Sequence, residues 1–232
     1  MKIQHSTALV TGATGGLGQQ FVAQILSRGA KKVYAASRRE HHWNDERVVP
    51  LHLDVTDPAE VLNAVEVAQD VNLLINNAGV TGPTSLLHAS ETDIRDVFET
   101  NLFAPLVLTR SFAPALAQNG GGAIINLHSV LSWLAQPGVY SPSKAAFWGL
   151  TNSLRLELAD QETQVLGAHL GYADTPMTER LTGVDKVNPF DVVAAVLNAL
   201  EAGEEEAITD AVSVSVRSAL SENTTGRLQS SR

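Results

Sequence analysis

A parallel α/β sheet with helices on both faces follows from three features of the sequence. Short apolar runs alternate with longer amphipathic stretches along the whole chain. A cluster of glycines sits at the first passage from strand to helix. No internal repeat or long linker divides the chain. Strands that alternate with helices are joined by crossovers, which cover the faces of a parallel sheet.

The elements read in order as follows. Thr7-Ala8-Leu9-Val10 is a buried strand, followed by the glycines and the helical pattern Phe21, Val22, Ile25, Leu26. Val33 to Ala36 is a second strand. Val48 to Leu53 is a third, and Pro50 predicts that it begins late or bulges. Asp57 and Pro58 open a helix as N-cap and first helical residue. Val71 to Ile75 is a fourth strand. One long helix is expected from about 91 to 117, ended by Asn119 and three glycines. Ala123 to Leu127 is a fifth strand, and a helix from about 141 to 159 follows. Gln164 to Leu170 is a sixth strand, Pro189 to Ala202 a helix, and Glu206 to Thr209 a short last strand. The expected organisation is one catalytic domain over residues 1–220 and a loosely ordered polar tail over 221–232.

Composition narrows the function classes. A hydrophobic fraction of 44% over 232 residues supplies a sizeable core. Sixteen basic against 25 acidic residues give a formal charge of −9, which argues against nucleic acid and anionic membrane as partners. With no cysteine there is neither a disulfide framework nor a thiolate metal site. The first residues lack the apolar stretch of a signal peptide, and no apolar run reaches membrane-spanning length. A soluble, cytoplasmic protein that binds small molecules, with no metal, is expected.

Gly12, Gly16 and Gly18 stand in Thr11-Gly12-Ala13-Thr14-Gly15-Gly16-Leu17-Gly18, a Gly-x-x-x-Gly-x-Gly pattern in the first strand–helix unit. Glycines here permit a tight turn and the approach of a pyrophosphate to a helix N-terminus. Ser37-Arg38-Arg39 follows the second strand, where a carboxylate would accept the ribose hydroxyls of NAD. Two arginines suit a 2'-phosphate instead, so NADP(H) is preferred over NAD(H). Asp54-Val55 and Asn76-Asn77-Ala78-Gly79 end the third and fourth strands, on the side where ligands bind in such sheets.

Tyr140 and Lys144 lie four residues apart on one helix face. A fixed cation beside a phenol favours the phenolate. Lowering the free value of about 10 to near neutrality would amount to roughly 4 kcal/mol and poise Tyr140 for proton transfer.

Together, Thr11 to Gly18, Asn76 to Gly79, Asn101, Ser129 and Tyr140 to Lys144 resemble the short-chain dehydrogenase/reductase family in type and order, over nearly the whole chain. The resemblance implies a Rossmann fold with a doubly wound seven-stranded sheet. It implies hydride transfer between a nicotinamide and a ketone or aldehyde, or a secondary alcohol in reverse. Tyr140 is then general acid or base. Lys144 lowers its pKa and binds the nicotinamide ribose. Ser129 hydrogen-bonds the substrate oxygen, and Asn101 holds a water in a relay to Lys144. Read locally, Asn101 is a polar residue whose back-bond bends its helix. Gly171 and Thr175 match positions that contact the cofactor. A homodimer or homotetramer is implied. The rival readings are an imine or sugar-nucleotide substrate on the same scaffold, or a non-catalytic protein that senses NADP(H).

The chain departs from the family pattern in several places. Ser129 precedes Tyr140 by eleven residues, a loop about two residues shorter than usual, in which Ser132 is a rival serine. Leu170-Gly171 replaces the usual Pro-Gly, which should leave that turn less rigid. The segment from Met177 to Asn188 is short for a substrate lid, so an open or shallow pocket is expected. The C-terminal glycine-rich signature of fatty-acid-type reductases is missing. Trp133, Leu134, Trp148 and Tyr172 are candidates for an apolar pocket wall, although Trp148 reads rather as a core or interface residue. His128, turned away from Ser129 by strand alternation, reads as structural.

Overall fold

The computed structural model describes residues 1–222. Seven parallel strands form one sheet: β1 (Thr7–Thr11), β2 (Lys32–Ser37), β3 (Val48–His52), β4 (Leu73–Asn76), β5 (Ala123–Leu127), β6 (Gln164–His169) and β7 (Glu206–Ile208). Their order is β3-β2-β1-β4-β5-β6-β7. The chain winds outward from β1 to β3, then crosses back beside β1 with β4. The reversal between β1 and β4 opens a crevice at the carboxyl ends of the strands.

Central strands read as continuous apolar runs because both sheet faces are covered. On one face lie α1 (Gly16–Ser27) and α6 (Pro189–Ala202), packed around Phe21, Ile25, Val193 and Leu197. On the other lie α2 (Pro58–Val67), α4 (Ala104–Gln118) and α5 (Tyr140–Glu157), packed around Phe112, Leu116 and Leu154. Asp57 caps α2 as expected, its carboxylate accepting from the Ala59 and Glu60 N–H groups.

Four elements depart from the sequence expectation. Pro50 neither delays nor bulges β3, which pairs with β2 from Val48 to His52 without interruption. As an edge strand, β3 has one side on which a missing N–H is tolerated. The long helix near 91–117 is instead α3 (Glu91–Phe98), a π-helical turn (Glu99–Phe103) and α4. Pro105 has no N–H for the carbonyl of Asn101, and Ala104 donates to Glu99 in the wider π pattern. At the turn that lacks the usual proline, the Asp210 carboxylate, unforeseen from the sequence, accepts the Gly171 N–H at 2.7 Å. Finally, a helix unforeseen from the sequence, α7 (Ala211–Glu222), follows β7, with Asp210 accepting from the Ser213 N–H at 2.8 Å. The polar tail expected at 221–232 lies, from residue 223 on, outside the described residues. Among the described residues no helix is long and apolar enough to cross a membrane.

A buried polar ladder sets α5 against the sheet. Asn76 on β4 donates to Asn126 on β5 at 2.8 Å, and Asn126 donates to Thr151 on α5 at 2.9 Å. Asn76 is therefore spent inside the fold, unlike its neighbour Asn77.

Phe112 is fully buried where α4 meets the sheet. Phe112→Ala should lower the free energy of unfolding by about 3–5 kcal/mol, read from the shift of the urea midpoint.

Candidate active site

The crevice at the β1–β4 reversal is a cleft of about 760 Å³. At its nucleotide end, Gly12 has a left-handed backbone (φ +62°), which a side chain would strain. A Cβ on Gly18 would run into the Gly12 carbonyl oxygen, and one on Gly16 would come within 2.6 Å of the Thr175 methyl. These absent side chains let the loop lie flat on α1 and bring Thr175 against it. Gly15, the N-cap of α1, supplies no side-chain bond, so the first N–H groups of that helix stay available to an anion.

Thr11 ties this loop to β4. Its hydroxyl donates to the Ile75 carbonyl at 3.1 Å and accepts the N–H groups of Asn77 and Ala78 at 3.0 and 3.1 Å. The Asn77 amide returns to the carbonyls of Thr11 and Gly12 at 2.8 and 3.2 Å. Sequence reasoning missed Thr11 as an organiser, since a threonine ending a strand has no distinguishing pattern.

Ser37 donates to the Arg39 carbonyl at 2.6 Å and tightens the turn after β2. The Arg38 side chain remains 69% exposed and pairs loosely with Asp54 at 3.6 Å. Bonds from Thr56, and the Arg38 charge, hold the Asp54 carboxyl below its ordinary range. Two guanidinium groups thus edge the cleft, and the nearby carboxylate is already engaged. Glycine cradle, free helix N-terminus and exposed arginines all fit a dinucleotide with an added phosphate.

At the other end stand Ser129, Tyr140 and Lys144. Ser129 follows β5 and accepts the Leu131 N–H at 3.1 Å. Its hydroxyl is near enough to the Tyr140 phenol to favour the phenolate. The Lys144 ammonium is buried and donates to the Leu127 carbonyl at 2.7 Å. It lies 5.8 Å from the centre of the Tyr140 ring. The expected depression of the phenol is not what this site shows. Burial pushes Tyr140 up to about 12, the neighbouring Ser129 hydroxyl opposes, and the nearby Tyr172 adds to the rise. Burial likewise pushes Lys144 down to about 8. Lys144 is buried and Tyr140 half-buried at the cleft wall, so each is shifted toward its neutral form, and the cation is itself weakened.

Asn101 does not line the cleft. It is fully buried in the π turn, where its Oδ1 accepts the Val80 N–H at 2.9 Å. Its amide donates to the Val80 carbonyl and to the Ser143 hydroxyl at 2.9 and 3.0 Å. The back-bond read from the sequence belongs to its neighbour, for Thr100 donates to the Asp96 carbonyl at 3.1 Å. A Cβ on Gly79 would lie 3.2 Å from Asn101 Oδ1 and 3.7 Å from Lys144 Nζ, so the glycine leaves these two groups facing one space. Ser143, between Tyr140 and Lys144, was not foreseen. It presents its hydroxyl to Asn101 and carries no sequence signal of its own.

All the other expected site residues line the one cleft, from Gly12, Thr14 and Leu17 to Val55, Ala78, Gly171 and Thr175. The Ser132 hydroxyl is buried without a hydrogen-bond partner among the described residues, and Ser132 does not line the cleft. Of the expected aromatic wall, Tyr172 lines the cleft, whereas Trp133, Leu134 and Trp148 do not. Trp133 stacks on His169 at 3.8 Å, and Trp148 donates to Glu206 at 2.8 Å, because both side chains turn toward β6 and β7. Gln136, unforeseen, reaches Tyr172 across the mouth at 3.3 Å. Met177, Thr178 and Leu181, from the segment after β6, complete the lining.

These features meet in one kind of protein. The family model described as short chain dehydrogenase matches residues 6–185, and the chain belongs to that family of oxidoreductases. Among curated relatives, a 3-oxoacyl-(acyl-carrier-protein) reductase of Salmonella typhimurium is 30% identical over 193 residues, covering 78% of this chain and 79% of the relative. A short-chain dehydrogenase, PC-15, of Penicillium crustosum is 34% identical over 188 residues, covering 75% and 68%. A short chain dehydrogenase of Burkholderia cenocepacia, solved in complex with NADP, superposes with a TM-score of 0.89 at 38% identity over 95% of each chain.

The buried ammonium has a stability signature. Its pKa is near 8 in the fold and about 10.5 when unfolded, so folding favours the neutral amine. The cost is full below pH 8 and fades as pH rises to about 10.5. The stability of the ligand-free parent relative to Lys144→Met should therefore rise by roughly 3 kcal/mol between pH 7 and about pH 10.5 in urea titrations.

Proposed function

We propose that this protein is an NADPH-dependent reductase of ketones or aldehydes. The observation that carries the reading is the meeting of Ser129, Tyr140 and Lys144 at one end of a cleft whose other end is a glycine cradle edged by Arg38 and Arg39. Gly12 to Gly18 and the N-terminus of α1 would hold the pyrophosphate. Arg38 and Arg39 would hold the 2'-phosphate, Asp54 and Val55 would flank the adenine, and Lys144 would bind the nicotinamide ribose. The NADP complex of the Burkholderia cenocepacia relative supports this choice. When bound, the reduced nicotinamide supplies a hydride.

The residues of the chain do the rest. Ser129 and Tyr140 take the substrate oxygen between two hydroxyl groups. A phenol pushed up to about 12 remains protonated at neutral pH, the form from which a general acid donates. It yields its proton readily to an alkoxide, a far stronger base, so negative charge never stands free in the cleft. Lys144 then faces the phenolate and limits the cost of forming it. The space shared by Lys144 Nζ and Asn101 Oδ1 supports a water-mediated route by which Tyr140 is reprotonated.

NADPH oxidation over a panel of carbonyl compounds tests this reading. Tyr140→Phe should lower kcat by about 10²–10⁴-fold with NADPH binding retained. Tight NADPH binding without turnover of any carbonyl would instead favour a sensor. Arg38→Ala should raise the KM for NADPH about tenfold and leave that for NADH nearly unchanged. An equal effect on both coenzymes would remove the 2'-phosphate assignment.

A further inference from the structure

His169 is the last residue of β6, fully buried and set directly behind Ser129. The proposed chemistry makes no use of it. Its Nδ1 lies 3.4 Å from the Ser129 carbonyl oxygen, which also accepts the Ser132 N–H at 2.9 Å. Burial pushes the imidazole down to about 3, so the ring is neutral and carries one N–H.

The surroundings decide which nitrogen holds that proton. Nε2 has no hydrogen-bond partner among the described residues. The Glu206 carboxylate stops 3.7 Å away, beyond hydrogen-bonding range. Both of its oxygens are engaged, Oε1 by the Trp148 indole N–H at 2.8 Å and Oε2 by Arg217 at 3.0 Å. The neighbouring His128 ring, 4.8 Å away between centres, makes no hydrogen bond to it, so among the described residues the Ser129 carbonyl is the acceptor within reach, which puts the proton on Nδ1.

The ring is also held in plane. Trp133 stacks on it at 3.8 Å with an interplanar angle of 17°. The Arg217 guanidinium, from α7, lies over Trp133 at 5.0 Å and over Trp148 at 5.5 Å. One helix at the end of the described chain thus presses an indole onto an imidazole whose N–H points at the serine of the active site.

We propose that His169 is a positioning residue for Ser129. Its Nδ1–H, oriented by the Trp133 stack, holds the Ser129 peptide so that the hydroxyl faces Tyr140. This rests on the role given to Ser129 above. It also gives β7 and α7 a part in the active site that neither touches.

Two substitutions separate the N–H from the stack. His169→Phe keeps a flat ring against Trp133 and lacks the donor. His169→Asn lacks the ring, but its amide nitrogen can occupy the place of Nδ1. With NADPH and the best carbonyl of the panel, the Phe variant should lose about tenfold in kcat with the KM for NADPH unchanged. The Asn variant should stay within about twofold of the parent, although its Tm falls. Crystal structures of the two should show the Ser129 hydroxyl displaced from Tyr140 in the first and retained in the second. His169→Leu replaces the Phe variant if that protein does not fold. A Phe variant with parental kcat and an unmoved Ser129 overturns the proposal, as does an Asn variant as impaired as Phe. Ser129→Ala distinguishes the two readings. If it keeps parental kcat while His169→Phe displaces the hydroxyl, the role of the serine fails and the positioning stands.

Discussion

The hydroxyl of Thr11 holds the place on which the rest of the site depends. At the reversal of strand order the β1 and β4 ladders run out, and the backbone of both chains would be left unpaired. Thr11 meets three of these groups at once, and Asn77 meets two more. With both ends tied, the glycine loop cannot drift from Ala78 and Gly79, and the two halves of the cleft keep a common floor. A methyl-bearing alcohol at this point is more than strand filler, because its oxygen replaces the ladder that the topology removes.

The opposite end of the cleft is organised by burial. Lys144 is held on the Leu127 carbonyl, at the tip of the strand that leads to Ser129. Asn101 is held by the Val80 peptide, in a π turn that widens the helix where Pro105 removes a bond. Neither arrangement is favourable by local rules. A buried ammonium and a π turn each cost stability, and both persist because surrounding hydrogen bonds over-determine them. The same dryness explains why the phenol rises and the amine falls when the sequence suggested that one would lower the other. Proximity of opposite charges matters only if solvent loss does not first suppress the charges.

Local grammar was legible where it is short in range. The cap at Asp57, the glycine pattern, the α5 spacing of Tyr140 and Lys144 and the apolar runs all act within a few residues. What escaped has partners far along the chain. Thr11 works through residues 75–78, Asn101 through Val80 and Ser143, and Asp210 through Gly171. Trp133 was legible as an aromatic near the site, but its direction depends on His169 and Arg217, two elements away. Helix α7 was missed because Val212-Ser213-Val214-Ser215-Val216 alternates apolar and polar residues and shows no helical period.

By itself the sequence determined the layer architecture, the places of the apolar strands along the chain and most of the groups that meet in the cleft. The layers and strands rest on periodicity and the glycine turn on backbone freedom, which are local properties, whereas Ser129, Gly171 and Thr175 rest on the family resemblance. Only the tertiary structure decided which of those groups are dry, which serine faces the phenol, and which aromatic rings stand behind the site and which line it. Desolvation and orientation belong to the environment that distant segments build around a residue, and no spacing along the chain encodes them.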